Sequence, residues 1–466
     1  LAAALLAATL AAPLAAQTTA PLTVANEAPG GYNCDVYRWV DSTGAQRSAA
    51  LVRNNAADPA NSHGGYLRQF RFTPAGTTTE RVVTGTGSNG WAGWGYVVNH
   101  HSDTAYVSKG TSGTYATLFA GRHHAIHQYQ LTYPLNGVNV SATIHWFFAT
   151  GQDHPIYAIT FDTSAAGAAG LSFNADSRAP YGDLQFGGDG SNPTVSGVGW
   201  GDKYKFVSTS APLTPQSTWD YSQANTVPYT LMWINSPDAE MGAVQTQTWL
   251  QHNTGGSWFT NNWGHTSANR VLGDGSSFGN WMMPVNWQWP YQLNQYELMD
   301  DTSSTTSKRC AWGLMYGAVG KPSYAGYGDE NTYSGHPYQS YSVAMVVGRH
   351  STTDVAAQVT RTERLLAATL TANTGSLVVA GPGGVGRTDS VAYAKAGYNA
   401  TYGAYELTAA GGTFSATLAT TGAVKNPTFI IRGMGGIPAQ ISRDGTALVA
   451  DQGYFASYDS ASQTLW

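Results

Sequence analysis

Arg122, His123, His124, His127, Tyr129 and His145 gather acid–base side chains in one short stretch of the chain. Imidazole and phenol groups can take or give a proton, and a guanidinium can neutralise a carboxylate. Cleavage of a uronate polymer by β-elimination needs those three services. The carboxylate is neutralised, the C5 proton is removed, and the leaving oxygen is protonated. On this reading His124 or His127 is the base, Tyr129 the acid and Arg122 the neutraliser, with His145 beside them.

Hydrolysis of a glycosidic bond asks for two carboxyl groups in different protonation states. The chain has 28 Asp and Glu residues, which keeps the candidates few. Asp183, Asp202, Glu240 and Glu297 lie in Gly- or aromatic-rich surroundings, where a carboxylate also serves simply to cap a turn. Asp183, Asp189 and Asp202 equally suit a Ca²⁺ ion held with backbone carbonyls. No other cofactor is expected. His123 and His127 would stand roughly 13 Å apart on a strand, too far to share an ion. A ligand set drawn from several strands, such as His101, His124 and His145, is the remaining metal option. The sequence has no phosphate-binding loop, no dinucleotide Gly motif opening a helix and no His-Glu-x-x-His.

Two aromatic stretches suggest what such a site would act on. In 249–263 (WLQHNTGGSWFTNNW) and 281–296 (WMMPVNWQWPYQLNQY), rings alternate with amides and few residues are charged. Sugars present apolar C–H faces edged by hydroxyls, so they stack on rings while bonding to amides. Trp249, Trp258, Trp263, Trp281, Trp287, Trp289 and Tyr291 are the expected sugar-stacking residues. A buried core segment would not interleave so many amides, each of which needs a partner.

The composition agrees with this picture. Of 466 residues 54 are Gly, 27 Tyr and 15 Trp, charged residues are 11% and the net charge is −5. Without a basic excess, nucleic acid is not an expected partner. A hydrophobic content of 42% is enough to fill a large core rather than leave the chain disordered. The opening LAAALLAATLAAPLAA, residues 1–16, reads as the apolar and cleavage regions of a secretory signal peptide, and both ends are expected to be those of a fragment. Export and an extracellular or periplasmic location follow as expectations. No later segment reads as a membrane span. Cys34 and Cys310 could pair in an oxidising compartment or stay as separate buried thiols.

The elements that must position these residues are strands. Short alternating runs are broken by Gly, Asn, Asp and Pro. Ala125–Tyr133 and Val138–Phe148 flank Asn136-Gly137, a preferred hairpin turn pair. That register sets Tyr133 opposite Val140, Leu131 opposite Ala142, Tyr129 opposite Ile144 and His127 opposite Trp146 on one apolar face. Gln128, Gln130, Thr132, Ser141, Thr143 and His145 share the other, polar face. A strand over Ile156–Phe161 follows. Asp354–Leu370 is the best helical stretch. Beyond about residue 350 two hairpins are expected, Tyr405–Ala410 with Thr413–Leu418 and Ala439–Arg443 with Thr446–Ala450. The expected architecture is all-β: a large sandwich over 25–350 and a smaller C-terminal sandwich over 351–466.

The run VNVSATIHWFFATGQDHPIYAITFDT, residues 138–163, resembles the early strands of large β-super-sandwich domains of the galactose-mutarotase-like kind. Asn99-His100 is similar to an Asn-His pair of mutarotases. The resemblance implies a secreted carbohydrate-active enzyme, a polysaccharide lyase or a glycoside hydrolase. The Arg/His/Tyr hairpin favours the lyase. A non-catalytic glycan-binding or cell-surface protein and a His-ligated metalloenzyme are the competing readings.

Overall fold

The computed structural model describes residues 19–53, 63–74, 76–85, 93–101, 111–135, 138–162, 175–186, 197–201, 206–209, 227, 229–235, 238–246, 265–268, 281–285, 294–300, 308–316, 338–378 and 396–466, with the backbone alone for several strands between 175 and 341. The Asn136-Gly137 turn, residues 1–16 and the 381–384 glycine run lie outside the described residues.

Up to residue 348 the described part of the chain forms strands, with one short 3-10 turn at Pro29–Gly31. Its strands are β1 (Thr23–Glu27), β2 (Cys34–Val40), β3 (Gln46–Val52), β4 (Leu67–Phe72), β5 (Arg81–Thr84), β6 (Trp94–His101), β7 (Thr114–Ala120), β8 (His124–Leu135), β9 (Val138–Ala149), β10 (Ile156–Asp162), β11 (Ala175–Phe186), β12 (Gly197–Gly201), β13 (Phe206–Thr209), β14 (Tyr229–Asn235), β15 (Asp238–Gln245), β16 (His265–Ala268), β17 (Trp281–Val285), β18 (Asn294–Asp300), β19 (Lys308–Tyr316) and β20 (Tyr338–Gly348). They form two antiparallel sheets. The first runs β1–β2–β3–β4–β5–β11–β19–β18–β17–β16, with β6 beside β11 and β4. The second runs β13–β12–β14–β15–β20–β10–β9–β8–β7. Strands β8 and β9 pair in the register read from the sequence, His127 with Trp146 and Tyr133 with Val140.

Alternation decides which face each strand buries. Tyr37 and Trp39 of β2, Leu51 of β3 and Phe70 of β4 meet Tyr129, Leu131, Ile144, Trp146 and Phe148 of the second sheet in one core. Full burial of a large apolar side chain contributes roughly 1.5–3 kcal/mol, so this aromatic seam is the main force holding the sheets face to face. The opposite face of β8 and β9 carries Ile126, Phe147 and Ala149. These pack with Tyr229, Leu231, Val346 and with Val355 and Val359 of helix α1 (Asp354–Ala367).

Helix α1 lies within the stretch expected to be helical, and it ends where Ala368 turns extended. From there the described strands pair only among themselves: β21 (Thr369–Thr374), β22 (Ser376–Leu377), β23 (Tyr398–Asn399), β24 (Ala404–Thr408), β25 (Ser415–Ala419), β26 (Phe429–Arg432), β27 (Ser442–Arg443), β28 (Thr446–Ala447), β29 (Tyr458–Asp459) and β30 (Thr464–Leu465). The β27–β28 hairpin turns at Asp444-Gly445, both with positive φ as a tight hairpin turn requires. The other expected C-terminal hairpin does not form. Residues 410 and 413 make a single bridge, after which β24 joins β22, β23 and β26 while β25 pairs with β21. Core packing of Leu407 and Tyr405 with Ile431 overrides the local turn signal.

The two cysteines do not meet. Cys34 is a buried free thiol, and burial pushes its pKa up to about 12. Cys310 lies on β19, five strand positions from β2 in the same sheet. Five spacings are about 24 Å, far beyond the ~7 Å that a disulfide spans between Cα atoms.

Candidate functional site

The His-rich hairpin is divided by its own alternation into two unlike settings. Arg122 and His124 sit at the start of β8 and His145 on the outer face of β9. All three reach the C-terminal strands. The exposed Arg122 guanidinium grips Asp451, with Nε 3.0 Å from Oδ2. His123 is neutral, since burial lowers its pKa, and its Nε2–H donates to Asp451 Oδ1 at 2.6 Å. The hydroxyl of Thr150 serves its Nδ1 at 3.2 Å. Ser457 Oγ accepts the backbone N–H groups of His123 and His124, at 2.8 and 3.1 Å, and donates to His124 Nδ1. His145 accepts from the Tyr402 hydroxyl at Nδ1 and donates from Nε2 to Gln128, both at 2.8 Å. Burial holds the pKa of His124 and of His145 down at about 3.

Arg122, His124 and His145 therefore join the two parts of the chain, rather than lining an open groove. His145 has both ring nitrogens hydrogen-bonded, to Tyr402 and to Gln128. Among the described residues no three His, Cys, Asp or Glu side chains converge on an ion position. The side chain of His101 lies outside the described residues.

Tyr129 faces the core and is walled in. Its ring stacks on His63 at 5.6 Å between centroids. Glycines close around it: a Cβ on Gly65, whose φ is +71°, would fall 2.5 Å from Tyr129 Cγ, and one on Gly113 2.5 Å from Cε1. Burial raises its phenol pKa. His63 is equally enclosed; it donates to Gly64 O, accepts the Val97 N–H at 2.7 Å, and burial lowers its pKa to about 4.

His127 belongs to a third group, which sequence reading did not assemble. It lies where the edge strand β7 passes over β2. Its Nδ1 is 3.2 Å from the Tyr37 hydroxyl, which also approaches Thr117 Oγ1 at 3.4 Å. Its Nε2 is buried and has no hydrogen-bond partner. Leaving such an atom unpaired costs about 1–3 kcal/mol. Burial, and then the Arg53 charge, lower its pKa to about 3, so the ring is neutral. Tyr115 lies against it at 5.2 Å, half-buried, and the Arg53 guanidinium sits 4.9 Å above the Tyr115 ring. Asp35 Oδ1 accepts from Arg53 Nε and Nη2. Burial and then Asp35 push the Tyr115 phenol up to about 12. Arg53 is 34% exposed while Asp35 is 3%, so the cation faces the opening and the carboxylate lies behind, beside the half-buried Tyr115 phenol. The alternation of CDVYRWV did hold a clue. It puts Asp35 on the core face with Tyr37 and Trp39, where a charge requires a partner.

Of the acids, Glu240 is described fully, and it is a helix cap. Its Oε1 accepts the Val355 N–H at 2.7 Å and its Oε2 meets His350 Nδ1 at 2.8 Å. That position satisfies a free N–H in the first turn of α1. Burial raises its pKa from 4.5 to about 7. A carboxyl raised in the folded state binds its proton more readily than in the unfolded chain. Stability therefore falls as pH climbs from about 4.5 through about 7. Glu240→Gln keeps the acceptor and removes the titration. It is expected to flatten that decline and, above pH 7, to stabilise the protein by up to roughly 3 kcal/mol. Urea midpoints at several pH values check this; a variant with the slope of the parent refutes it.

Asp183 lies on β11 opposite Ala311, Glu297 on β18, also opposite Ala311, and Trp281 on β17, with side chains outside the described residues. Asp189, Asp202, Trp249, Trp258, Trp263, Trp287, Trp289 and Tyr291 lie outside them altogether. No helix among the described residues is long and apolar enough to cross a membrane. No protein-family model matches the chain and no curated protein matches it in sequence, so a functional reading stands on this geometry.

Proposed function

We propose that the protein is a secreted enzyme that cleaves a uronate-containing polysaccharide by β-elimination at the β2–β7–β8 edge. One observation carries the reading. A cation open to solvent, Arg53, and the half-buried, protonated phenol of Tyr115 stand beside a neutral imidazole, His127, whose Nε2 has no partner. Arg53 neutralises the uronate carboxylate and so makes the adjacent C–H acidic. His127 Nε2 takes that proton, and Tyr115 gives its own to the leaving oxygen as the C–O bond breaks. Tyr37 is a positioning residue that fixes the His127 ring through Nδ1. Nε2 is enclosed in the free protein, so the Tyr115 ring has to move aside as a sugar enters.

Incubation with a panel of uronate and neutral polysaccharides tests the reading. New reducing ends are expected together with the ultraviolet absorbance of an unsaturated uronate. Reducing ends without that absorbance would mean hydrolysis, and elimination would be rejected.

A further inference from the structure

The outward face of the first sheet holds a groove of about 460 Å³ that the chemistry above does not use. In β2, β3 and β4 the core takes Tyr37, Trp39, Ala49, Leu51, Phe70 and Phe72. The opposite parity, Val36 and Arg38, Ser48 and Ala50, Gln69 and Arg71, lines the groove. Val36 and Ala50 are cross-strand partners and make an apolar floor. Glu27 and Arg38 stand on one wall, paired at 2.6 Å, and Arg71 and Glu80 on the other, paired at 2.5 Å. Arg71 Nε also holds the Gln69 side-chain oxygen at 2.8 Å.

We propose that this groove is a saccharide-binding site for neutral, hydroxyl-rich sugar units, distinct from the cluster around His127. The two rim pairs cancel in charge, and the third lining cation, Arg47, is paired with Asp41, so the groove does not select an anion, and a basic or acidic peptide would meet its like charge on either wall. Guanidinium, carboxylate and amide groups set side by side offer alternating donors and acceptors, which suits neighbouring hydroxyls. The small apolar floor of Val36 and Ala50 suits the C–H face of a sugar ring. Glu27 is held ionised beside Arg38, its pKa lowered, so that carboxylate accepts hydrogen bonds and does not supply a catalytic proton. The inference rests on a polysaccharide being the substrate, with neutral units accompanying the uronate.

Calorimetric titration of the full chain with neutral gluco-, xylo-, manno- and galacto-oligosaccharides tests it without any need for turnover. At least one is expected to bind, with affinity about tenfold or more weaker in Arg71→Ala or in Gln69→Ala. The rim pair is 42% and 49% exposed, so an unchanged melting temperature should confirm that each variant folds. No binding to any of the four, or binding untouched by both substitutions, overturns the proposal. Binding that persists in a protein with no lyase activity would sink the elimination reading and leave the groove standing. Elimination without such binding would do the reverse.

Discussion

Ser457→Ala should destabilise the protein by about 3 kcal/mol and separate the unfolding of its two parts. One oxygen, 1% exposed, accepts two backbone N–H groups at the start of β8 and donates to His124. Alanine leaves both N–H groups buried without an acceptor, and each such loss costs about 1–3 kcal/mol. No other described contact replaces it, because the neighbouring Asp451 is already occupied by Arg122 and His123. The same oxygen ties the main sandwich to the C-terminal strands, where the Ser457 backbone pairs with Trp466. A urea titration followed by tryptophan fluorescence should therefore turn from one transition into two. Arg122→Ala is the control: it removes an exposed ion pair beside the same contact and should barely move the midpoint. A Ser457→Ala protein as stable as its parent would show that His123 and His124 are not what fastens the two parts.

This interface explains why the strands were legible in the sequence while the roles of the histidines were not. Strict alternation in 124–149 gave the β8–β9 register residue by residue, because one face must be apolar when a sheet is half-buried. Alternation also says which side chains share a face, but it cannot say what covers that face. Gln128 and His145 looked like a polar surface. Tyr402, 257 residues away from His145, turns part of that surface into an interior. Gln130 and Thr132, further along β8, remain exposed. The same limit hid the edge cluster. Asp35, Tyr37, Arg53, Tyr115 and His127 come from β2, the end of β3, β7 and β8, and no spacing within one segment announces them. The failed β24–β25 hairpin makes the complementary point. A Gly-Gly turn fixes the bend, and long-range packing then chooses each strand's partner.

Tyr115→Phe carries the largest expected effect on activity, a fall in kcat of roughly 10²–10⁴-fold, the usual worth of a positioned acid. Besides the proton donor, the substitution removes only the phenol's interaction with Asp35. The ring keeps its contact with His127 and its place under Arg53, and a half-buried phenol oxygen is lost without opening a cavity. KM and thermal stability should therefore change little. Tyr37→Phe separates positioning from catalysis. Its oxygen is fully buried and serves His127 Nδ1, so its loss leaves both imidazole nitrogens unpaired and lowers stability as well as kcat. The pH profile adds a second check. Tyr115 stays protonated up to about 12 and His127 stays neutral above about 3. The acid and the acceptor thus hold their working forms across the whole neutral range, and kcat/KM should be flat there. A bell centred near neutrality, or a Tyr115→Phe enzyme with parental kcat, would remove these two residues from the reaction.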